Sequence, residues 1–348
     1  MFKIDAIDRK ILYELGKDAR QSYSALGTKV RSSKEVVQYR VSNLLRQGVI
    51  FRLLPIIDTS RIGYGLNKVF IKLQNASEKR HAQLIASLLL DNRVIWLVEC
   101  DGAFDIAFMI FAKTHQELDR AIRELCGPYS YFINRKELST NVAGEYFERR
   151  YLIDAVSTLQ KKVSYGNEAE GAALSAQDRK ILELLAGDAR LQSTQLAKTL
   201  PIKSDAVRQH LRRMEEQGII TSYSLILDNA SIGQIQYKVL IELEDLSESV
   251  LQGIRQFCIQ TPRIVYMIKA LGRWDVEIDI EASCAQEYRD IMSDFSKTFP
   301  GKIKMYESLI IYKIHEYRYI TEHFALQQEK QPLNSMKNSM KMKSSYRK

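Results

Sequence analysis

The sequence predicts an α+β protein in which one two-domain unit occurs twice in tandem. Two observations carry this. Stretches of chain recur at one constant offset: Asp8-Arg9-Lys10-Ile11-Leu12 returns as Asp178-Arg179-Lys180-Ile181-Leu182, Asp18-Ala19-Arg20 as Asp188-Ala189-Arg190, and Gln47-Gly48-Val49-Ile50 as Gln217-Gly218-Ile219-Ile220. The offset is 170 residues (178 − 8), and Asp58/Asp228, Gly63/Gly233, Gly102/Gly272 and Asp105/Asp275 keep it. So long a period does not describe a solenoid unit; each copy folds alone, or the two fold on each other as a pseudo-dimer. Second, each copy begins with three short helical patterns and continues with alternating strand and helix patterns.

In the first domain, Asp5 and Ser175 each stand three residues before an aspartate, Asp8 and Asp178, the spacing of a capping box. Ile7, Ile11, Leu12 and Leu15 then share one helical face, as do Ile181, Leu182 and Leu185. A second helix is expected near Tyr23–Lys29 and Thr194–Thr199, followed by turns at Arg31-Ser32-Ser33 and Pro201-Ile202-Lys203. In the third helix Val37, Val41 and Leu44, and likewise Val207, Leu211 and Met214, are spaced to pack inward. Gly48 and Gly218 end it, and extended segments follow at Val49–Ile57 and Ile219–Leu227. Three helices, a tight turn and a strand read as a winged helix-turn-helix over 1–58 and 174–228. Such a third helix can enter the major groove. Its outward face would carry Ser33, Lys34, Glu35, Gln38, Tyr39, Arg40 and Ser42 in copy one, and Lys203, Ser204, Asp205, Arg208, Gln209, Arg212 and Arg213 in copy two. Arginine and glutamine suit this role because they pair with guanine and adenine edges through two hydrogen bonds. A plain three-helix bundle with a solvated polar face fits the same pattern.

In the second domain, strands are expected at Lys68–Leu73 and Lys238–Leu243, helices at Glu78–Leu90 and Glu248–Gln260, and strands at Val94–Cys100 and Ile264–Ala270. Strands Asp105–Phe111 and Val276–Glu281, helices Gln116–Leu125 and Ala285–Phe295, and last strands Phe132–Leu138 and Lys302–Ile311 follow. The order β-α-β-β-α-β is ferredoxin-like, over 64–153 and 234–323. Helices cover one sheet face; the other needs a partner, and this chain carries two such sheets. Residues 154–173 read as a polar linker, and 327–348 as a basic disordered tail.

Composition limits the function. Apolar content of 45% and charged content of 27% over 348 residues fit a soluble protein of two or more domains. The tail holds Lys330, Lys337, Lys341, Lys343, Arg347 and Lys348 against Glu329, so five of the nine net positive charges lie there. None of Cys100, Cys126, Cys258 and Cys284 forms a C-x-x-C pair or recurs in the other copy. They read as small apolar residues in a reducing compartment, without a metal or framework disulfide. No signal-peptide core and no membrane-length apolar run is visible, so a cytoplasmic protein is expected.

Together these features resemble the Lrp/AsnC (feast/famine) family of transcription regulators, each copy resembling a complete member over roughly 4–153 and 174–323. The resemblance rests on Asp8-Arg9-Lys10-Ile11-Leu12 with Asp18-Ala19-Arg20, on Ser33 to Ile50, and on the turns Gly102-Ala103-Phe104-Asp105 and Gly272-Arg273-Trp274-Asp275. It implies binding of double-stranded DNA and, at those turns, a small-molecule effector such as an amino acid. The candidate positions are Asp101, Gly102, Phe104 and Asp105, and Gly272, Arg273, Trp274 and Asp275. A tight hairpin whose aspartate only satisfies backbone donors is the simpler reading. The chain departs from the family pattern at His210, which stands in the place of Arg40, and at Pro201 in the second turn. Neither an enzymatic cofactor nor catalytic residues are implied. Two alternatives stand beside the regulator: a sensor or scaffold that does not bind DNA, and an enzyme like the siroheme decarboxylases, which share a similar two-domain plan. The latter requires histidines facing a substrate; His81, His115, His210, His315 and His323 are expected to form no pair on the central strands.

Overall fold

The computed structural model describes residues 2–154, 163–166 and 172–321. Each copy begins with the expected three helices: α1 (Ala6–Lys17), α2 (Tyr23–Val30) and α3 (Lys34–Arg46) in copy one, and α6 (Ala176–Gly187), α7 (Ser193–Thr199) and α8 (Ser204–Glu216) in copy two. Both capping boxes form: Asp5 and Ser175 accept from the amides of Asp8 and Asp178, whose carboxylates accept from the amides of Asp5 and Ser175. Gly48 and Gly218 adopt φ values of 73° and 67°, which a side chain disfavours.

The strand after each head makes no wing of its own. Strand β1 (Ile50–Ile57) pairs antiparallel with β7 (Ile220–Leu227) of the other copy, placing Leu53 opposite Leu225 and Pro55 opposite Tyr223. The two copies are thus joined by a β-ribbon between heads and body.

The body is a closed barrel. Copy one contributes β2 (Gly65–Leu73), α4 (Glu78–Leu90), β3 (Val94–Gly102), β4 (Ile106–Ala112), α5 (His115–Cys126) and β5 (Ile133–Tyr146). After a short strand β6 (Val163–Tyr165), copy two contributes β8 (Ile235–Leu243), α9 (Glu248–Gln260), β9 (Ile264–Gly272), β10 (Val276–Ala282), α10 (Ala285–Thr298) and β11 (Ile303–Tyr317). The strand order is β2-β4-β3-β11-β8-β10-β9-β5, and β5 pairs with β2 to close the ring. Each half has the ferredoxin-like order, and the halves meet at two junctions, β3–β11 and β5–β9. The outer sheet faces pack under their helices: Val69, Leu84, Phe108 and Leu118 in copy one, and Val239, Ile254, Ile278 and Phe295 in copy two. The inner faces meet around Phe70, Phe104 and Trp274, with Phe70 and Trp274 edge-to-face at 4.9 Å.

Three expectations change. The last strand of each unit runs beyond Leu138 and Ile311, to Tyr146 and Tyr317, because its second half pairs across a junction rather than within its own sheet. The linker is not wholly polar chain: Val163–Tyr165 pairs with β5, and the Tyr165 ring is buried; linker residues 155–162 and 167–171 lie outside the described residues, as do His323 and the basic tail. Cys100, Cys126 and Cys258 are buried, but Cys284 is exposed. Among the described residues, no helix is long and apolar enough to cross a membrane.

Candidate nucleic-acid interface

The two third helices are held by their apolar faces and expose their polar ones. Val37, Val41 and Leu44 are buried in head one, Val207, Leu211 and Met214 in head two. Ser33 caps α3 by accepting from the Val36 amide; Lys203 at the start of α8 makes no side-chain cap. Lys34, Glu35, Gln38, Tyr39 and Ser42 are exposed on α3, with the Tyr39 ring 67% exposed. On α8, Asp205, Arg208, Gln209 and Arg212 are exposed and Ser204 is half-buried. Arg208 pairs with Asp205 and Arg212 with Glu216, both along the helix surface.

Arg40 and Arg213 do not join these faces. The Arg40 guanidinium donates to Asp5 (2.7 Å) and Asp8 (2.9 Å), tying α3 to the start of α1. In head two, His210 Nδ1 lies 2.8 Å from Asp178 and Arg213 donates to the same carboxylate at 2.5 Å. The replacement of Arg40 by His210 is thus made good by Arg213, three residues along the helix. Burial would raise the Asp178 carboxyl, but Ser175, His210 and Arg213 outweigh it and hold it below its ordinary value.

The Asp-Ala-Arg repeat proves to be a head-to-head contact. Arg20 Nη1 donates to the Ala189 carbonyl (2.6 Å), and Arg190 Nη1 to the Ala19 carbonyl (2.5 Å). Asp18 and Asp188 each accept from the amide of that arginine at 2.8 Å, shaping the turn. Each guanidinium also lies over a ring of the other copy, Arg20 over Tyr223 and Arg190 over Tyr23. The sequence showed the motif; its reciprocal use is visible only when residues 169 apart are brought together.

The glycine–aspartate turns lie at the barrel junctions. Gly102 faces Leu309 and Gly272 faces Ser139 in register. A Cβ at Gly102 would stand 2.6 Å from the Ser308 carbonyl oxygen, and one at Gly272 2.6 Å from that of Leu138. Asp105 accepts from the Leu73 amide (2.6 Å) and Lys72 Nζ (2.7 Å); Asp275 accepts from the Leu243 amide (2.8 Å). Phe104 and Trp274, in the turns after β3 and β9, are buried in the barrel interior, their rings 6.2 Å apart. Arg273 is engaged by Glu307 (2.6 Å) and Glu242 (3.4 Å). Asp101 remains exposed. With Asp105, Glu78, His81 and Tyr312 it borders an open groove of about 600 Å³ in copy one. A separate pocket of about 160 Å³ beside α9 of copy two is walled by Tyr165 of the linker strand and does not include Asp275.

Sequence reasoning missed a histidine pair. His315 on β11 lies 2.5 Å from Glu99 on β3, and His81 on α4 lies 3.4 Å from the same carboxylate. The spacing of 234 residues left no local signal. Among the described residues, no group of three or more histidine, cysteine or acidic side chains is arranged to hold a metal ion.

Paired helix-turn-helix heads with exposed polar third helices, whose following strands pair with each other above a barrel of two ferredoxin-like halves, define the class of winged-helix DNA-binding regulators. Residues 4–45 match the AsnC-type helix-turn-helix domain, and residues 174–221 match a winged helix-turn-helix DNA-binding domain. An uncharacterized HTH-type transcriptional regulator of Pyrococcus abyssi is 33% identical over 122 residues, covering 35% of this chain and 76% of that protein. Regulatory protein AsnC of Haemophilus influenzae is 30% identical over 118 residues, covering 34% of this chain and 78% of its own. The chain belongs to the Lrp/AsnC family of transcription regulators. Its whole two-copy fold is also similar to the crystal structure of the siroheme decarboxylase NirDL, with a TM-score of 0.61 at 13% identity over 93% of this chain and 97% of that one. At that identity the likeness is one of fold.

Proposed function

We propose that this regulator reads an asymmetric DNA site with two unlike heads and responds to a small amine-bearing ligand in copy one. The observation that carries the first half is the reciprocal Arg20/Arg190 contact, which holds two different third helices in one fixed relation. Head two presents Arg208, Gln209 and Arg212; head one presents Gln38, Tyr39 and Ser42. A homodimer reads a palindrome because its heads are identical. This chain reads two dissimilar half-sites about one helical turn, or a multiple, apart. Genome-wide mapping followed by mobility shifts tests it. Arg208→Ala/Arg212→Ala should lose preference in one half-site only, and unchanged affinity for mapped sites would remove the recognition role of α8.

The second half rests on the open groove beside the glycine–aspartate turn of copy one, where the exposed acids Asp101 and Glu78 suit an ammonium group. The ligand could be an amino acid. Thermal shift against the common amino acids tests it, and no shift at millimolar ligand leaves the turns purely structural. A cytoplasmic location follows from the same reading, since the target is the genome.

A catalytic reading is favoured only by the fold shared with the siroheme decarboxylase. The barrel cavity lined by Lys68, Trp96, Tyr146 and Glu281, about 50 Å³, has room for a few waters, whereas the groove between heads and barrel, bordered by Arg20, Tyr146, Arg149 and Tyr223, measures about 660 Å³. The relatives matched in sequence carry the names of transcription regulators, and on that ground we propose no reaction for the chain. Siroheme titration followed in the visible spectrum checks this; a saturable band shift would reopen it.

A further inference from the structure

The barrel interior carries charge, and the charge is divided unequally between the copies. Lys68 of copy one and Lys238 of copy two occupy equivalent positions, both buried. Their counter-ions come from copy two alone. Glu277 accepts from Lys68 (2.5 Å) and Lys238 (3.3 Å), and Asp279 accepts from Lys238 (2.5 Å). The positions equivalent to Glu277 and Asp279 in copy one are Ala107 and Met109. Two lysines therefore meet two carboxylates, and the buried set is neutral only when copy one faces copy two.

Three further contacts repeat the pattern. Arg149 of copy one donates to Glu281 of copy two at 3.0 Å, whereas the equivalent pair is Tyr319 and Phe111. Glu99 of copy one meets His315 (2.5 Å) and Lys313 (3.6 Å) of copy two across the β3–β11 junction. At the other junction the residues equivalent to Glu99, His315 and Lys313 are Lys269, Glu145 and Ala143. Glu145 of copy one pairs with Arg255 of copy two at 2.6 Å, where His315 would find Ile85.

We propose that this interface is built for unlike partners: copy one fits copy two, and the same side chains exclude pairing of like with like between chains. Joining two copies of copy one would bury two lysines without a carboxylate and set Glu99 against Glu145. Joining two copies of copy two would bury two lysines with six carboxylates, Glu277, Asp279 and Glu281 from each, and set Lys269 against His315 and Lys313. Uncompensated buried charge is among the costliest errors an interface can contain, and like charges in contact suppress wrong partners. The selectivity lies in the side chains and is separate from the tether that joins the copies. It holds whether or not the DNA reading stands.

Two experiments on the full chain test it, in a Cys284→Ser background with a short bis-maleimide reagent. Asp101 faces Ile310 across the unlike junction, so Asp101→Cys/Ile310→Cys should cross-link in high yield. Like-with-like pairing would instead bring Asp101 beside Thr140 of a second chain, the position equivalent to Ile310. Within one chain β3 and β5 are the outer strands of a four-stranded sheet, roughly 14 Å apart, beyond the reagent. Asp101→Cys/Thr140→Cys should therefore give no cross-linked dimer, and a dimer yield near that of the first variant overturns the proposal. A cross-linked dimer from the first variant only would be the same unlike pairing made between chains, and supports it.

The second experiment isolates charge from tether. Lys68→Met and Glu277→Ala each leave a buried charge unbalanced and should each lower the unfolding midpoint by roughly 10 °C. The double variant retains the Lys238–Asp279 pair and should recover at least half of the summed loss. If a single variant fails to fold, a double variant that folds supports the proposal equally. A double variant that loses the sum of the two, or fails with them, refutes charge balance as the basis of selectivity.

Discussion

Replacing Gly102 by alanine tests whether the glycine–aspartate turns serve the barrel or a ligand. The φ of Gly102 is 120°, a conformation L side chains rarely adopt, and its Cβ would sit 2.6 Å from the Ser308 carbonyl oxygen. An ordinary contact is roughly 3.5 Å, so β11 must retreat by about 0.9 Å along a junction it shares with β3. Overpacking of this kind costs about 1–3 kcal/mol, and the backbone strain about 1–3 more. At about 2–4 °C per kcal/mol for a body of this size, the midpoint should fall by roughly 5–20 °C. Gly272→Ala makes the same 2.6 Å approach, to Leu138, without the positive φ, and should cost about half as much. Scanning calorimetry of the three proteins reads both values. If Gly102→Ala stayed within about 2 °C of the parent, the glycine would not be a packing requirement. A loss of ligand response at unchanged midpoint would point to effector binding instead.

If Arg208 reads a base, as proposed, Arg208→Ala should cost about 1–3 kcal/mol in specific binding, more than Gln38→Ala, as read by titrated mobility shifts. Asp205→Ala releases Arg208 from its ion pair and should tighten binding most at low salt, where phosphate contacts weigh most; weaker binding would mean that Asp205 itself reads DNA. In acid, Glu277 is the group to follow. Desolvation would raise it, but Lys68 and Lys238 bring it down to about 2 from 4.5. A depressed carboxyl contributes stability above its unfolded value and loses it as pH falls through the folded one, so Tm should drop between pH 4.5 and 2, and drop less steeply in Glu277→Gln. In alkali the sign reverses. Burial pushes Tyr146, Tyr266, Tyr317 and Tyr319 well above 10. Their contribution is complete below pH 10 and disappears as pH rises further, so absorbance at 295 nm should show a late tyrosine step coincident with unfolding. A smooth titration of all tyrosines near pH 10 would contradict this.

What the sequence made legible was whatever a local pattern encodes. The capping boxes at Asp5 and Ser175, the inward stripe of Val37, Val41 and Leu44, and the order of strands and helices all follow from spacing within a few turns of chain. The overlooked parts depend on partners far away. Beyond Leu138, β5 contains Asn141 and Gly144, residues that weaken a strand in isolation. They extend here because Asn141 pairs with Ala270 and Tyr165 OH, and because the Tyr165 ring lies where a Cβ on Gly144 would stand. Arg40 and Arg213 carried the right chemistry for DNA but had nearer acids in Asp8 and Asp178, which a helical wheel of the third helix alone does not show. Lys68 read as an ordinary strand residue, since its partner Glu277 lies 209 positions away.

These distant contacts also connect the barrel to the heads. Head one docks on a strand of copy two: the Ala19 amide donates to Tyr223 (3.0 Å) and Ser224 Oγ to the Gly16 carbonyl (2.9 Å). Head two docks on a strand of copy one through the Ala189 amide and Leu53 (3.2 Å). Neither head is therefore placed by its own copy alone. The ribbon on which both rest exists only when β1 lies against β7. If the interior charges admit only unlike copies, every assembled body carries one head of each kind, and the unequal faces of α3 and α8 always face DNA as a pair. Interior asymmetry and asymmetric reading are then one property. A variant with relaxed pairing in the barrel should also lose its fixed half-site spacing, although none of its substitutions lies near the DNA. Footprinting of Lys68→Met/Glu277→Ala beside its parent would register this as a second protected spacing. Unchanged footprints from a protein whose cross-linking shows like-with-like pairing would sever that connection.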